Sequence, residues 1–408
     1  MAEVLLSIII PTRNRTQYAI PAIRSALSIP SADAECVVQD SSDSDALGRH
    51  LRDHLPDGRL RYNYTPPPVN MTENFNLGLA QSRAKYVCMI GDDDGVNPEI
   101  VAAARWASEN NVDAILARVN IAQYFWPDYR HRYYGKARSA TLQIDDFTGQ
   151  LCETDLKRAM LECVREAGQL DRSLQLPRAY LGLVRRDCLE QIRRRGGVYF
   201  GGMSPDIYSS LAVADVAKRC CRVDYPLVVP GYSGGSVSGQ HAMRRATRDD
   251  LVASRNLAWP ANVPPLQVPE AIWAQAACAA LSAMGRTDLL DQFNFRRLHA
   301  MCLVTHRAHI RETLGSFQRA CRLAQSSYAR EVPLLLVEVL RFISQQTLRY
   351  LPKILKYSPR VGATVITGLQ DVAQAVEALR GHLSQNGRSF LAVCNGLKEF
   401  SLQKVARR

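Results

Sequence analysis

A chain of 408 residues with 47% apolar side chains can bury a sizeable core and has room for two or three domains. Its formal charge of +12 and pI near 9.3 favour an anionic partner: a nucleotide, a nucleic acid or an acidic membrane surface. Eleven scattered cysteines with no Cys-x-x-Cys pair exclude a zinc-ligand spacing and a small disulfide framework. No run approaches the roughly 18 apolar residues of a membrane span. The first residues place an acid before a short apolar run that meets Pro11, unlike a signal peptide, so a cytoplasmic protein with buried, reduced thiols is expected.

In chain order, Val4–Ile10 is a β-branched apolar run that reads as a buried parallel-type strand, and Pro11 to Arg15 forms the loop after it. A helix is predicted from about Thr16 to Ser28. A second strand, Glu35–Gln39, delivers Asp40-Ser41-Ser42-Asp43 to the same sheet edge. Residues 46–55 read as a helix, Leu60–Tyr64 as a short strand and Glu73–Ala84 as a helix. Tyr86–Ile90 is a strand closed by Gly91. This strand–helix alternation describes a doubly wound half with parallel strands. Further on come a helix over about 98–110, a strand over 113–121, and an aromatic and basic stretch over 122–150 that reads mainly as loop packing. A helix is predicted over 152–167, a strand over 179–184, helices over 186–195 and 207–218, and a strand over 221–229. Pro230 to His241 is a glycine-rich loop.

A boundary is expected in the proline-rich stretch 259–269. Beyond it, alanine- and leucine-rich helices are predicted near 270–284, 287–311, 313–330, 332–350 and 363–384. From Pro333 onward eleven Arg or Lys face four Asp or Glu, which suits either a solvated basic face or contact with a membrane surface. The expected domains are 1–258, a linker over 259–269, and an α-helical region over 270–408 serving acceptor, membrane or oligomer contacts.

The chemistry concentrates in Lys85–Pro98, KYVCMIGDDDGVNP. Carboxylates just past the carboxyl end of a central strand sit where open α/β sheets bind ligands. Three in a row (Asp92, Asp93, Asp94) repel one another, and a divalent cation with a phosphorylated ligand relieves that repulsion. A solvated acidic turn is the competing reading.

Four separated stretches converge on this strand edge: Ile8-Ile9-Ile10-Pro11-Thr12-Arg13-Asn14-Arg15, Val37-Val38-Gln39-Asp40-Ser41-Ser42, Asn76-Leu77-Gly78 and the acidic strand. In that order and spacing the chain resembles a family 2 glycosyltransferase of the GT-A fold over about residues 4–245. The resemblance implies an α/β fold with a mostly parallel sheet and flanking helices, followed here by an all-α C-terminal region. The family's Asp-x-Asp would fall on Gly91 and Asp93, so this chain departs from it at the first position.

The resemblance implies a nucleotide-sugar donor, UDP-linked, and a glycan or lipid-linked acceptor in bacterial-type surface polysaccharide or lipopolysaccharide synthesis. Asp40 would accept the imide N–H of uracil. Pro11, Thr12, Arg13 and Arg15 would wall the nucleoside and meet phosphate charge. Asn70, Thr72 and Asn74 would hold the ribose or second phosphate, although Asn and Thr also cap helices. Asp92 would face the ribose. Asp93 would be the principal ligand of Mn²⁺ or Mg²⁺, with Asp94 as second or alternate ligand and His241 completing the set. Asp206 would be the general base of an inverting transfer, with an ordinary helix start as its competing reading. Two alternatives stand beside this one: a sugar-phosphate nucleotidyltransferase, whose glycine-rich phosphate loop is missing from Pro11–Arg15, and a non-catalytic module acting through its helices. Nucleic-acid binding is not expected, because the basic residues form no compact cluster with a known fold signature.

Overall fold

The computed structural model describes residues 4–130, 138–169, 176–236, 259–355 and 364–394. The first elements alternate as the apolar pattern requires: β1 (Leu6–Thr12), α1 (Thr16–Leu27), β2 (Ala34–Asp40), α2 (Ala46–His54), β3 (Leu60–Tyr64), α3 (Met71–Gln81) and β4 (Tyr86–Met89). Next come β5 (Gly95–Val96), α4 (Ile100–Glu109), β6 (Ala114–Ala117), β7 (Ala122–Phe125), β8 (Thr141–Ile144), β9 (Leu151–Glu153) and α5 (Leu156–Arg165). The α/β part ends with β10 (Leu183–Arg185), α6 (Arg186–Gly196), α7 (Pro205–Val216), β11 (Cys220–Val223), β12 (Val228–Val229) and β13 (Gly231–Tyr232).

An eight-stranded sheet runs β3-β2-β1-β4-β10-β6-β11-β9. Its first four strands are mutually parallel, whereas β10 runs antiparallel to both β4 and β6. The central strands are apolar on both faces because both are covered. In β1, Leu6, Ile8 and Ile10 enter one core while Ile9 enters the other. In β4, Tyr86 and Cys88 enter the first core and Val87 and Met89 the second. That period-2 division fixes the strand register against slippage. The predicted strand over 221–229 is two pieces, β11 and β12, because Pro226 lacks the N–H a continuous ladder needs.

The C-terminal region contributes α8 (Pro269–Ala283), α9 (Thr287–Leu290), α10 (Phe295–Thr305), α11 (Ile310–Leu323), α12 (Tyr328–Leu355), β14 (Thr364–Thr367), α13 (Val372–Gln385) and α14 (Phe390–Cys394). The single helix expected over 287–311 is interrupted: Asn294 caps α10, its side chain accepting from the Arg297 amide at 2.9 Å. The helix expected over 363–384 begins later, at α13, with Asp371 as its cap. Before it the β-branched run Thr364–Thr367 pairs antiparallel with β8 in a second sheet, β13-β7-β8-β14. Both cores include C-terminal residues: Val372, Val376 and Leu379 join the first, and Ala274, Leu298 and Phe342 the second. No helix among the described residues is long and apolar enough to cross a membrane.

Candidate active site

β1 has β2 on one side and β4 on the other, so the strand order reverses there, and the carboxyl ends of β1 and β4 are the switch point at which sheets of this kind form their ligand crevice. Thr12 closes β1 there, and its Oγ1 donates to Asp92 Oδ2 at 2.7 Å. From the loop after β1, Arg15 reaches across. Its guanidinium lies 2.5 Å from Asp92 Oδ1 and 3.2 Å from Asp93 Oδ2, over the Tyr18 ring at 4.9 Å.

The third carboxylate is held differently. Asp94 Oδ2 accepts from the Gly91 amide (2.7 Å) and the Tyr180 hydroxyl (2.9 Å), and its Oδ1 accepts from the Gly231 amide (2.7 Å). A side chain at Gly91 would meet Asp94 Oδ2 at 2.9 Å and the Tyr180 oxygen at 3.0 Å. The space for the family's first acid is therefore already taken by Asp94 and Tyr180. Gly231 is equally constrained, since a Cβ there would stand 1.7 Å from the Asp93 carbonyl oxygen.

The loop after β13 is latched onto the same cluster. Ser233 Oγ donates to Asp93 Oδ2 at 2.6 Å and accepts from Arg15 at 2.8 Å, and Trp126 Nε1 donates to the Asp93 carbonyl at 2.9 Å. All three aspartates are buried, and Arg15 is the cation that touches Asp92 and Asp93. Burial raises the Asp92 carboxyl above its ordinary range against the opposing pull of Arg15, and burial with the charge of Asp93 raises Asp94. The cluster keeps an excess of negative charge that a cation or protons can meet.

Residues 7–164 match the sequence model of a family described as Glycosyl transferase family 2. Over residues 7–164 the chain carries a family 2 glycosyltransferase domain. Its α/β layers, large mostly parallel sheet and helical C-terminal region are the fold class expected from the sequence. Among solved structures, Staphylococcus aureus TarS is similar at 16% identity and a TM-score of 0.42, over 83% of this chain and 53% of that one. This chain therefore spans about half the length of that protein. TarS 1–349 in complex with UDP-GlcNAc gives 16% identity and 0.41, over 79% and 93%. A mannosyltransferase from Pyrobaculum calidifontis in complex with GDP-Man and Mn²⁺ gives 12% and 0.37, over 83% and 86%. No curated protein matches the sequence.

In the glycosyltransferase domain, Thr12, Arg15, Asp92, Asp93 and Asp94 form one bonded cluster. Pro11 lies in β1 beside Gln39 of β2. Asn74 joins the cluster through Nδ2, which donates to the Thr12 carbonyl at 3.2 Å, while its buried Oδ1 has no partner among the described residues. Asp40 sits one strand away, paired in register with Thr12. It is buried, with Oδ1 accepting from the Ser42 amide (2.8 Å) and Oδ2 from the Tyr62 hydroxyl (2.9 Å). Asp206 is half-buried in the first turn of α7, and Ser204 Oγ donates to its Oδ1 at 2.5 Å. Burial raises the Tyr180 hydroxyl well above its ordinary value, and the charges of Asp94, Asp93 and Asp206 add to this. Tyr180 thus stands in the fields of the acidic cluster and of Asp206 together.

Other candidates make different contacts. Arg13 is exposed and donates to the Val69 carbonyl at 3.3 Å. Asn70 forms a capping box with Glu73 at the start of α3, and Thr72 Oγ1 donates to the Gly202 carbonyl at 3.1 Å. His241 lies outside the described residues. Among those residues no three His, Cys, Asp or Glu side chains converge as a metal-binding group. Tyr180, Ser233 and Trp126 were not expected as site residues: Ser233 lay in the glycine-rich loop, Trp126 in the aromatic stretch read as packing, and Tyr180 in an expected strand with no motif.

Proposed function

We propose that the chain is an inverting, divalent-cation-dependent glycosyltransferase that moves a sugar from a UDP-sugar to a glycan or lipid-linked acceptor. The setting we propose is bacterial-type surface polysaccharide or lipopolysaccharide assembly, at the inner face of the cytoplasmic membrane. Residues 1–258 are assigned the catalytic work and 270–408 the acceptor, membrane or oligomer contacts. The observation that carries this reading is the buried acidic trio at the carboxyl end of β4, whose charge Arg15 only partly matches.

Each binding residue has a role its contacts leave open. A carboxylate has about four acceptor positions, so Asp40 can take a uracil imide N–H beside its two present donors. Asn74 Oδ1, buried without a donor among the described residues, suits a ribose hydroxyl, and Asp92 faces the same sugar. Pro11 and Thr12 line the nucleoside side of the crevice, Arg13 and Arg15 answer the phosphates, and Asn70 and Thr72 border the crevice at the start of α3. The donor set is rich in carboxylate oxygens, which fits a hard ion such as Mn²⁺ or Mg²⁺. Asp93 would hold it through Oδ1, which accepts no hydrogen bond among the described residues, with Asp94 and His241 as further ligands. Bound there, the ion would neutralise charge on the departing diphosphate.

In the transfer itself, an acceptor hydroxyl oxygen bonds to the anomeric carbon while the bond from that carbon to the diphosphate breaks. The hydroxyl proton passes to Asp206, whose Oδ2 is not taken by Ser204, and the nucleoside diphosphate leaves. Attack from the opposite face inverts the carbon. Calorimetric titration of UDP-sugars with and without Mn²⁺, paired with turnover assays, tests the assignment. Asp206→Asn should keep donor affinity and lose roughly a thousandfold in turnover, whereas normal turnover would reduce Asp206 to a helix start. Asp93→Ala should abolish the gain in donor affinity that Mn²⁺ gives, and an undiminished gain would refute its role.

A further inference from the structure

We propose that the hairpin of α11 and α12 is a docking surface for an anionic lipid bilayer. Fourteen large apolar side chains are exposed among the described residues, and ten of them lie between Ile310 and Leu348. That concentration is unlike the scattered single exposures ordinary for a soluble surface.

α12 has two apolar faces. The inner one is used: Leu335 packs with Ala300, Phe317 and Cys321, and Phe342 lies under the buried Arg297 guanidinium. The outer one carries Leu336, Val337, Leu340 and Leu348, which are 56%, 60%, 67% and 68% exposed. Spacings of three, four and eleven residues put these side chains on one stripe of the helix.

Charge selects the occupant. The two carboxylates of α12 turn inward, Glu331 to Arg296 and Glu338 to Arg297 at 3.4 Å. What faces out is basic. Arg307, Arg311, Arg319, Arg322 and Arg330 are exposed with no ion pair among the described residues, against the single exposed acid Glu312. Arg330 flanks the apolar stripe along one edge, and three helical turns on, the same edge carries Arg341, half exposed and already paired with Glu166 at 3.3 Å and Glu338 at 3.6 Å. A second copy of the chain would bring this arginine edge against its own like charges. Anionic headgroups neutralise it, while the leucines enter the acyl boundary with the helix lying in the plane of the surface. This deepens the lipid-linked acceptor reading but stands on the hairpin alone, and its test uses no turnover, so either can fail without the other.

Flotation of the full chain with vesicles tests it. Vesicles of phosphatidylglycerol mixed with phosphatidylcholine should carry the protein up, pure phosphatidylcholine should not, and high salt should release most of it. Leu336→Gln with Leu340→Gln should weaken binding roughly tenfold or more without moving the melting temperature, because both side chains are already in water. Arg319→Glu with Arg322→Glu should weaken it similarly and provides a second route should the first variant fold poorly. Absence of binding to the anionic vesicles, or binding unchanged in both variants, overturns the proposal. So does a wild-type dimer in light scattering that the leucine variant dissociates, which would assign the stripe to a second copy.

Discussion

In the cleft, three carboxylates are buried and every one is bonded to a neighbour. On the outer face of α12, leucines stand more than half exposed beside Arg330, which has no ion pair among the described residues. The two regions invert the usual placement of polar and apolar groups, and each has an unmet need of the opposite kind. The cleft retains charge that water cannot reach, and the hairpin retains apolar surface that water covers at a cost. On the readings proposed above, a small charged molecule answers the first need and an extended surface the second.

The largest effect is expected where a buried charge is fully matched, between the two regions. Arg297 is buried on α10, 3.0 Å from Glu166 and 3.4 Å from Glu338. Arg297→Met should lower stability by about 3–5 kcal/mol, because it removes the buried cation of the group and leaves Glu166 and Glu338 to share the half-exposed Arg341. Denaturant unfolding measures this, and a loss below about 1 kcal/mol would mean that the pairing holds nothing together.

A somewhat smaller effect concerns His299, whose ring contacts the Phe295 carbonyl at 2.7 Å and Ser316 Oγ at 3.2 Å. Burial lowers its pKa to about 4, and the nearby Arg319 charge adds to this. The folded value lies below the unfolded one, so the stabilisation is complete above about pH 6.5 and is lost as pH falls toward 4, by about 3 kcal/mol. Unfolding curves at pH 7 and pH 4.5 should diverge in the wild type and converge in His299→Gln.

Arg15→Met sharpens the comparison from the cleft side. Removing the resident cation should raise Mn²⁺ affinity in the absence of nucleotide roughly tenfold, about 1.4 kcal/mol, as read from the free-ion resonance signal. Unchanged affinity would show that Arg15 does not compete with a metal for the aspartates. The smallest effect is expected at Asn70, whose capping box supports α3. Asn70→Ala should cost about 1 kcal/mol of stability, and donor affinity measured on the same variant tells whether the side chain also serves the ligand.

Much of the cleft was legible in the sequence because strand and motif coincide. β1, β2 and β4 are each built on a short apolar core, Ile8–Ile10, Cys36–Val38 and Tyr86–Met89, so their ends announce Thr12, Asp40 and Asp92 directly. The parts played by Tyr180 and Trp126 were not legible: the first lay in an expected strand and the second in an aromatic stretch read as packing, and each meets the aspartates only through tertiary packing. Asp94 read as one acid among three; that its carboxylate fills the space beside Gly91 depends on distances no spacing encodes. The exposed stripe of α12 was legible only in part. Leucines on both faces look alike in sequence, and the buried Leu335 and Phe342 separate from Leu336 and Leu340 only once α10 and α11 are in place. Thr364–Thr367 was lost within a helix expectation because alanines on either side outweighed its β-branched run.

β14 is the last strand of its sheet to leave the ribosome, and the Ile144 it pairs with was made about 220 residues earlier. The helix that follows it seals the underside of β5, where a Cβ on Gly95 would meet Val376 at 2.6 Å and Val372 at 2.9 Å. With translation running at roughly 5–20 residues per second, the nascent acidic edge waits many seconds for its lining to emerge. A product stopped short of Val372 would therefore leave the ribosome with that apolar underside bare, as a client for chaperones and proteases.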